Sequence, residues 1–127
     1  MTALGVGAGA VRFAHESERR LAALFEFHGI DWQYEPVEFA LEWDADGHPT
    51  SGFRPDFYLP EYNLFVELTT LQQHLVTRKN RKVRRLRELH PDIRLRVLYR
   101  RDFLDLVLAQ RIGFLTEPSN EAVVRSA

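Results

Sequence analysis

The stretch Gly52-Phe-Arg-Pro-Asp-Phe-Tyr-Leu-Pro-Glu-Tyr-Asn-Leu-Phe-Val-Glu-Leu-Thr69 decides the fold. Two short apolar runs flank a Pro-Glu-Tyr-Asn turn, and this pattern predicts a β-hairpin. The hairpin brings Asp56 and Glu67 to one edge of a sheet. Because two buried carboxylates repel each other, such a pair is usually neutralised by a cation or holds a divalent metal. The alternative is that Asp56 only flanks a turn and that Glu67 is a surface charge on an edge strand.

Residues 14–28 are predicted to form an amphipathic helix. Five residues lie within about 40° of one direction in a helical projection: Ala14, Glu18, Leu21, Phe25 and His28. Glu18 is therefore on the apolar face, whereas Glu16 and Glu26 are expected to face solvent. Of the carboxylates in this helix, only Glu18 is a candidate for the site.

A second helix is predicted over residues 75–90, with a cap from Thr70 or Thr77. Its apolar face contains four residues: Leu75, Val83, Leu86 and Leu89. Lys79 and Lys82 lie on the same face. Either lysine can extend to the edge of the apolar face, as long side chains often do, or reach the carboxylates. Lys79 is better placed to reach them because it is nearer the start of the helix.

The remaining pattern predicts a mixed sheet flanked by helices. Residues 32–39 alternate as a strand that Pro36 divides into two, and residues 44–52 are rich in turn-forming residues. Another strand is expected at residues 93–99, and a helix at residues 102–112. Trp32 and Trp43, with Tyr34 and Phe39, are expected to pack in the core or on a sheet face rather than to form a base-stacking platform.

Length and composition indicate a single domain. The chain has 127 residues, of which 45% are hydrophobic, enough for one core. We expect a flexible leader at residues 1–13, the domain at residues 14–112 and a tail at residues 113–127. No cysteine is present, which excludes disulfides and thiolate zinc sites and fits a cytoplasmic location. The five histidines form no closely spaced pair, so zinc is not expected.

Charge is distributed unevenly along the chain. The net charge is −1, yet residues 78–101 contain eleven Lys or Arg and two acidic residues, a local charge of +9. A dense basic helix face suits phosphate binding. The predicted nucleic-acid-binding residues are Arg78, Arg81, Lys82, Arg84 and Arg85. Two alternatives stay open: a solvated helix with ordinary surface ion pairs, or a face that binds an acidic protein.

Residues 14–104 resemble the PD-(D/E)XK nuclease superfamily. The resemblance is carried by Glu18 in a first helix, Pro55-Asp56, Glu67-Leu-Thr69, and the helix and strand that follow. It implies an α/β fold with a restriction-endonuclease-like αβββαβ core, and a DNA endonuclease that depends on Mg²⁺ or Mn²⁺. It also implies that Asp56 and Glu67 bind the metal with the Leu68 carbonyl as a further ligand, assisted by Glu18. A homodimer is one way for such a small domain to cut both DNA strands.

The chain departs from the superfamily at Thr69, where a lysine normally orients the attacking water. Some members carry this lysine on the next helix, which implies Lys79, with Lys82 as second choice. The Glu67-Leu-Thr-Thr70 and Val76-Thr-Arg-Lys-Asn-Arg-Lys82 segments are similar to a bacterial subgroup that shares this departure. The alternative is a catalytically degenerate module that binds nucleic acid or a protein partner without cutting.

Overall fold

The computed structural model describes residues 11–69 and 73–109, an α/β arrangement built around a mixed sheet. In chain order the helices are α1 (Glu16–Phe27), α2 (Gln73–Leu89) and α3 (Arg100–Ala109). The strands are β1 (Gln33–Tyr34), β2 (Phe39–Trp43), β3 (Pro49–Phe53), β4 (Phe57–Leu59), β5 (Leu64–Thr69) and β6 (Leu95–Tyr99). Residues 1–10 of the expected leader and the expected tail lie outside the described residues.

The four-stranded sheet has the order β1-β4-β5-β6, with β5 at its centre. Strand β5 pairs antiparallel with β4 and parallel with β6. Five of its six residues are buried, as is typical of a strand that is covered on both faces. The predicted hairpin is confirmed: a 3₁₀ turn at Pro60–Tyr62 connects β4 to β5, and left-handed Asn63 (φ 48°) completes the turn.

Helix α1 packs on one side of the core through the predicted apolar face. Leu21 and Phe25 are fully buried, and Glu18 is buried among them. The Phe25 ring meets the buried Phe57 edge-on, with centroids 5.4 Å apart. Ala14 precedes the helix and is exposed, so its predicted place on this face is wrong.

Two residues of the expected leader also contact this core. Val11 and Phe13 are half-buried against it, and the Phe13 ring lies 4.7 Å from that of Tyr34. The packed part of the chain therefore begins before α1.

A second cluster joins α2 to the β2–β3 hairpin and to β6. Val83 and Leu86 are buried on α2, as predicted, and they pack with Leu41, Phe53 and Leu95. This contact fixes the rotation of α2 about its axis. The lysines of the same face are thereby directed to the end of the sheet where β4 begins and β5 ends.

Three local expectations need correction. Residues 49–52, part of the stretch 44–52 expected as turn, belong to β3 because β2 pairs with them in an antiparallel ladder that contains a bulge. Helix α2 begins at Gln73, so Thr77 lies inside it and is not its cap; Thr70 is outside the described residues. Trp32 is buried as expected, but Trp43 is 47% exposed, so the packing prediction is wrong for Trp43. The break at Pro36 is confirmed, since β1 and β2 lie on either side of it.

In the described part of the chain, no helix has the length and apolar character needed to cross a membrane.

Candidate active site

Asp56 and Glu67 face each other where β4 begins. They are 6% and 2% exposed, and their side chains accept hydrogen bonds from each other's strand. The Asp56 amide donates to Glu67 Oε1 at 3.0 Å, and the Leu68 amide donates to Asp56 Oδ2 at 2.8 Å. The interpretations of Asp56 as a simple turn residue and of Glu67 as an exposed edge charge are therefore wrong.

Burial raises the pKa values of both carboxyl groups. Burial, followed by the charge of Glu67, raises the pKa of Asp56 from 3.8 to about 8, while the Leu68 amide and Lys79 oppose the shift. Burial also raises the pKa of Glu67, and the Lys79 charge is the largest opposing influence. Two carboxylates in this position favour any additional cation that reaches them.

Lys79 reaches this pair from α2. Its ammonium group forms an ion pair with Glu67 Oε2 and donates to the Leu68 carbonyl at 3.3 Å. The Lys79 side chain is 21% exposed, so the ammonium is neither fully buried nor fully solvated. Lys82 instead donates to the Gly52 carbonyl at 2.9 Å. The geometry thus distinguishes the two candidate lysines, and Lys79 is the one beside the carboxylates.

Thr69 is the last residue of β5, the strand that also carries Glu67. It is 1% exposed and pairs with Tyr99 of β6. Its hydroxyl has no hydrogen-bond partner among the described residues. Thr69 therefore supplies no charge at the position where the resembling superfamily places a lysine.

Glu18 enters from α1 and is held by a tyrosine. Tyr34 donates its hydroxyl hydrogen to Glu18 Oε1 at 2.5 Å and accepts from the Ala14 amide at 3.1 Å. Burial, and then this bond to Glu18, raise the pKa of the Tyr34 phenol. Tyr34 thus fixes one oxygen of Glu18 beside the carboxylate pair.

These groups line a cleft of about 390 Å³. Asp56, Glu67 and Leu68 line it together with Glu18 and Lys79. Oxygen donors of this kind suit Mg²⁺ or Mn²⁺, and a divalent cation would stabilise the ionised forms that burial disfavours. The residues therefore fit the metal that the resemblance implies, and its ligands would be Asp56, Glu67 and the Leu68 carbonyl.

One other group of possible metal ligands occurs in the described residues. Asp44, Asp46 and His48 bring ligand atoms within 4.8 Å of one another, and they form the one set of three with this property in the described part of the chain. Glu18, Asp56 and Glu67 do not form such a set. All three residues of the turn are exposed. Asp44 Oδ1 accepts from the amides of Asp46 and His48 at 2.9 Å, which accounts for the cluster as part of the β2–β3 turn.

The basic residues of α2 divide into two groups. Arg78 and Lys82 line the cleft, and Arg78, Arg81 and Arg84 are exposed, with no ion pair recorded to another described residue. Arg85 is different, because it donates to the Leu41 carbonyl at 3.2 Å and lies 3.5 Å from Glu42. Binding of nucleic acid by all five cations stays a prediction. Arg85 already forms ion pairs with Glu42 and Glu88.

The sequence interpretation missed Tyr34 and Glu35. Tyr34 was expected only to pack, although a tyrosine next to a buried core commonly needs a partner for its hydroxyl. Glu35 lines the cleft in a left-handed conformation, φ 47°, and its amide donates to the Asp56 carbonyl at 2.8 Å. No sequence signal indicates this conformation, because a residue before proline normally prefers extended backbone.

Comparison with known proteins found no match. No protein-family model matches the chain, and neither a curated protein nor a solved structure is significantly similar to it. A function is therefore assigned from the residues of the cleft and their geometry.

Proposed function

We propose that this protein is a metal-dependent deoxyribonuclease of the PD-(D/E)XK type, cutting phosphodiester bonds at the cleft between α1, α2 and the β4–β5 hairpin. One observation carries the proposal: the Lys79 ammonium contacts Glu67 and the Leu68 carbonyl, beside the buried Asp56. The lysine that Thr69 does not supply is thus provided by α2. The αβββαβ core of the superfamily is part of the same proposal.

Asp56, Glu67 and the Leu68 carbonyl would hold Mg²⁺ or Mn²⁺ in the cleft. When bound, such an ion polarises the phosphate and lowers the pKa of a water molecule for attack. Lys79 orients that water or stabilises the charge that develops on the phosphate oxygens. Glu18, which Tyr34 holds by a hydrogen bond, positions water in the same cleft.

The alternative is a module of the same fold that binds without cutting. Thr69 favours it, because a buried hydroxyl neither donates a proton readily nor carries charge at neutral pH. In this alternative Lys79 only neutralises Glu67. The two functions differ in one measurable respect: both bind nucleic acid, but only the enzyme breaks it.

The test is the cleavage of end-labelled single-stranded, duplex and branched DNA in Mg²⁺ or Mn²⁺. Wild type is compared with Asp56→Asn and Lys79→Gln, and with Arg101→Gln as a charge control on α3, where Arg101 is exposed. We expect metal-dependent products from wild type and Arg101→Gln, and a loss of at least about 100-fold in the other two. Intact DNA in every reaction with wild type, despite binding, would refute the enzyme and leave the binding module.

A further inference from the structure

A second groove continues from the carboxylate cleft. It has a volume of about 170 Å³ and lies between α2 and the β2–β3 hairpin. Its helix side consists of Arg78, Arg81, Lys82 and Arg85. Arg78 and Lys82 also line the carboxylate cleft, so the two concavities are contiguous.

The cations of this groove remain accessible to an anion. Arg78 and Arg81 are exposed, and no ion pair to another described residue is recorded for either. Arg85 lies 3.5 Å from Glu42 and 3.4 Å from Glu88, with its side chain 38% exposed. Because exposed ion pairs of this kind contribute at most about 1 kcal/mol, a phosphate group can replace these carboxylates.

The length of the groove fits a short run of phosphates. Arg78 and Arg85 are seven residues apart on α2, which is about 10 Å along the helix axis. A strand within B-form DNA presents one phosphate per roughly 3.4 Å of axis, and an unpaired strand can be more extended. The basic side of the groove therefore spans at most about three consecutive phosphates, next to the position of the carboxylates.

An exposed indole follows a residue that lines the groove. Trp43 follows Glu42, the residue that faces Arg85, and is 47% exposed. Exposed aromatic rings beside a basic groove provide stacking surfaces for the bases of single strands. A base within a duplex is stacked on its neighbours and does not offer its face to a side chain.

We propose that the groove between α2 and the β2–β3 hairpin binds an unpaired nucleic-acid strand, with its phosphates on Arg78, Arg81 and Arg85 and a base stacked on Trp43. The proposal deepens the proposed function, on which it rests for placing the cleaved bond at the carboxylates. It makes a single strand, or an unpaired arm of a branched molecule, the preferred substrate.

Tryptophan fluorescence tests the stacking contact directly. The chain has two tryptophans, and Trp32 is buried, with its indole NH donating to Glu26 at 2.9 Å. Quenching on titration with a thymidine oligonucleotide in EDTA therefore reports on Trp43. We expect quenching of wild type by the single strand, none in Trp43→Ala, and an affinity loss of roughly 5- to 150-fold in that variant. Trp43→Phe should restore most of the affinity, because a phenyl ring still stacks.

Salt dependence tests the phosphate contacts. Each cation that contacts a single-strand phosphate contributes about 0.7 to the slope of log affinity against log salt concentration. Arg81→Gln should lower the slope by about this amount. Arg101→Gln is the control, because Arg101 is an exposed arginine on α3 and does not line the groove; it should leave the slope unchanged.

Three outcomes would overturn the proposal. They are tighter binding of a duplex of the same length, an equal effect of Arg101→Gln and Arg81→Gln on the slope, and displacement of the labelled oligonucleotide by polyglutamate as effectively as by unlabelled oligonucleotide, which would indicate an acidic protein partner. The metal-free binding assay separates this proposal from the proposed function. Binding as expected without cleavage in Mg²⁺ would refute the nuclease alone, while cleavage unaffected by Trp43→Ala would refute the groove alone.

Discussion

The paired carboxyl groups predict an unusual dependence of stability on pH. In the unfolded chain the pKa of Asp56 is near its ordinary 3.8, and in the folded protein it is about 8. Below about pH 4 both states hold the proton, so Asp56 adds no pH dependence. Between pH 4 and 8 the folded state binds more protons than the unfolded state, so the free energy of unfolding decreases as pH rises. The decrease attributable to Asp56 approaches about 1.4 kcal/mol per pH unit.

The measurement is urea unfolding from pH 4.5 to 8.5, without divalent metal, for wild type and Asp56→Asn. Asparagine keeps an oxygen that accepts from the Leu68 amide but does not titrate. The difference between the two stability curves isolates the carboxyl group, and it should grow in favour of Asp56→Asn as pH rises. Asp105→Asn, at an exposed position on α3, is the control and should give a curve parallel to wild type. Parallel curves for Asp56→Asn would refute the reasoning.

Divalent metal should reverse this trend. A metal binds the ionised carboxylates, so the stabilisation by Mg²⁺ or Mn²⁺ should increase with pH. A metal concentration 100 times the dissociation constant adds about 2.7 kcal/mol. Asp56→Asn should lose most of this gain. Equal stabilisation of both proteins would show that the ion binds elsewhere, for which the Asp44–Asp46–His48 turn is the candidate.

Three further predictions concern stability. Tyr34→Phe removes the hydrogen bond to Glu18 and should lower the free energy of unfolding by about 1–2 kcal/mol, with a larger loss of cleavage than of DNA affinity. Glu35→Gly should raise thermal stability by the equivalent of about 1 kcal/mol, because glycine adopts a positive φ without strain; Asn63→Gly, at a residue type that tolerates this conformation, should change it less. Phe57→Ala removes a fully buried ring from the core and should cost about 3–5 kcal/mol in urea unfolding. A loss under 1 kcal/mol would contradict the described packing.

The elements that could be predicted from the sequence are those in which the spacing of apolar residues matches the period of the strand or helix that forms. The β4–β5 hairpin, the inward position of Glu18 and the burial of Val83 and Leu86 on α2 all follow from local spacing, and these are confirmed; the Leu75 side chain lies outside the described part of α2. Strand β3 was missed because its sequence, Pro-Thr-Ser-Gly-Phe, is that of a turn; its pairing with β2 determines its conformation. The exposure of Trp43 depends on where the β2–β3 hairpin lies, which composition does not indicate.

The candidate site, too, could be predicted only in part. The approach of Asp56 and Glu67 could be anticipated, because a hairpin places its ends together. The contact of Lys79 with Glu67 could be anticipated only as one of two choices, since the rotation of α2 depends on the packing of Val83 and Leu86. The hydrogen bond from Tyr34 and the backbone of Glu35 arise from tertiary contacts with α1 and β4, which leave no pattern in the sequence.

The two acids of the cleft also continue the β4–β5 ladder, since each accepts from a backbone amide of the opposite strand. In an ordinary ladder a backbone amide donates to a main-chain carbonyl of the opposite strand. Here two amides donate to carboxylate oxygens instead, so the same side chains contribute to strand pairing and to the cleft. Replacing either acid by alanine would therefore remove a hydrogen bond of the ladder as well as a charge of the cleft. Asp56→Asn or Glu67→Gln removes the charge and keeps an oxygen that accepts from the opposite strand, so only these variants separate the chemistry of the cleft from the pairing of β4 with β5.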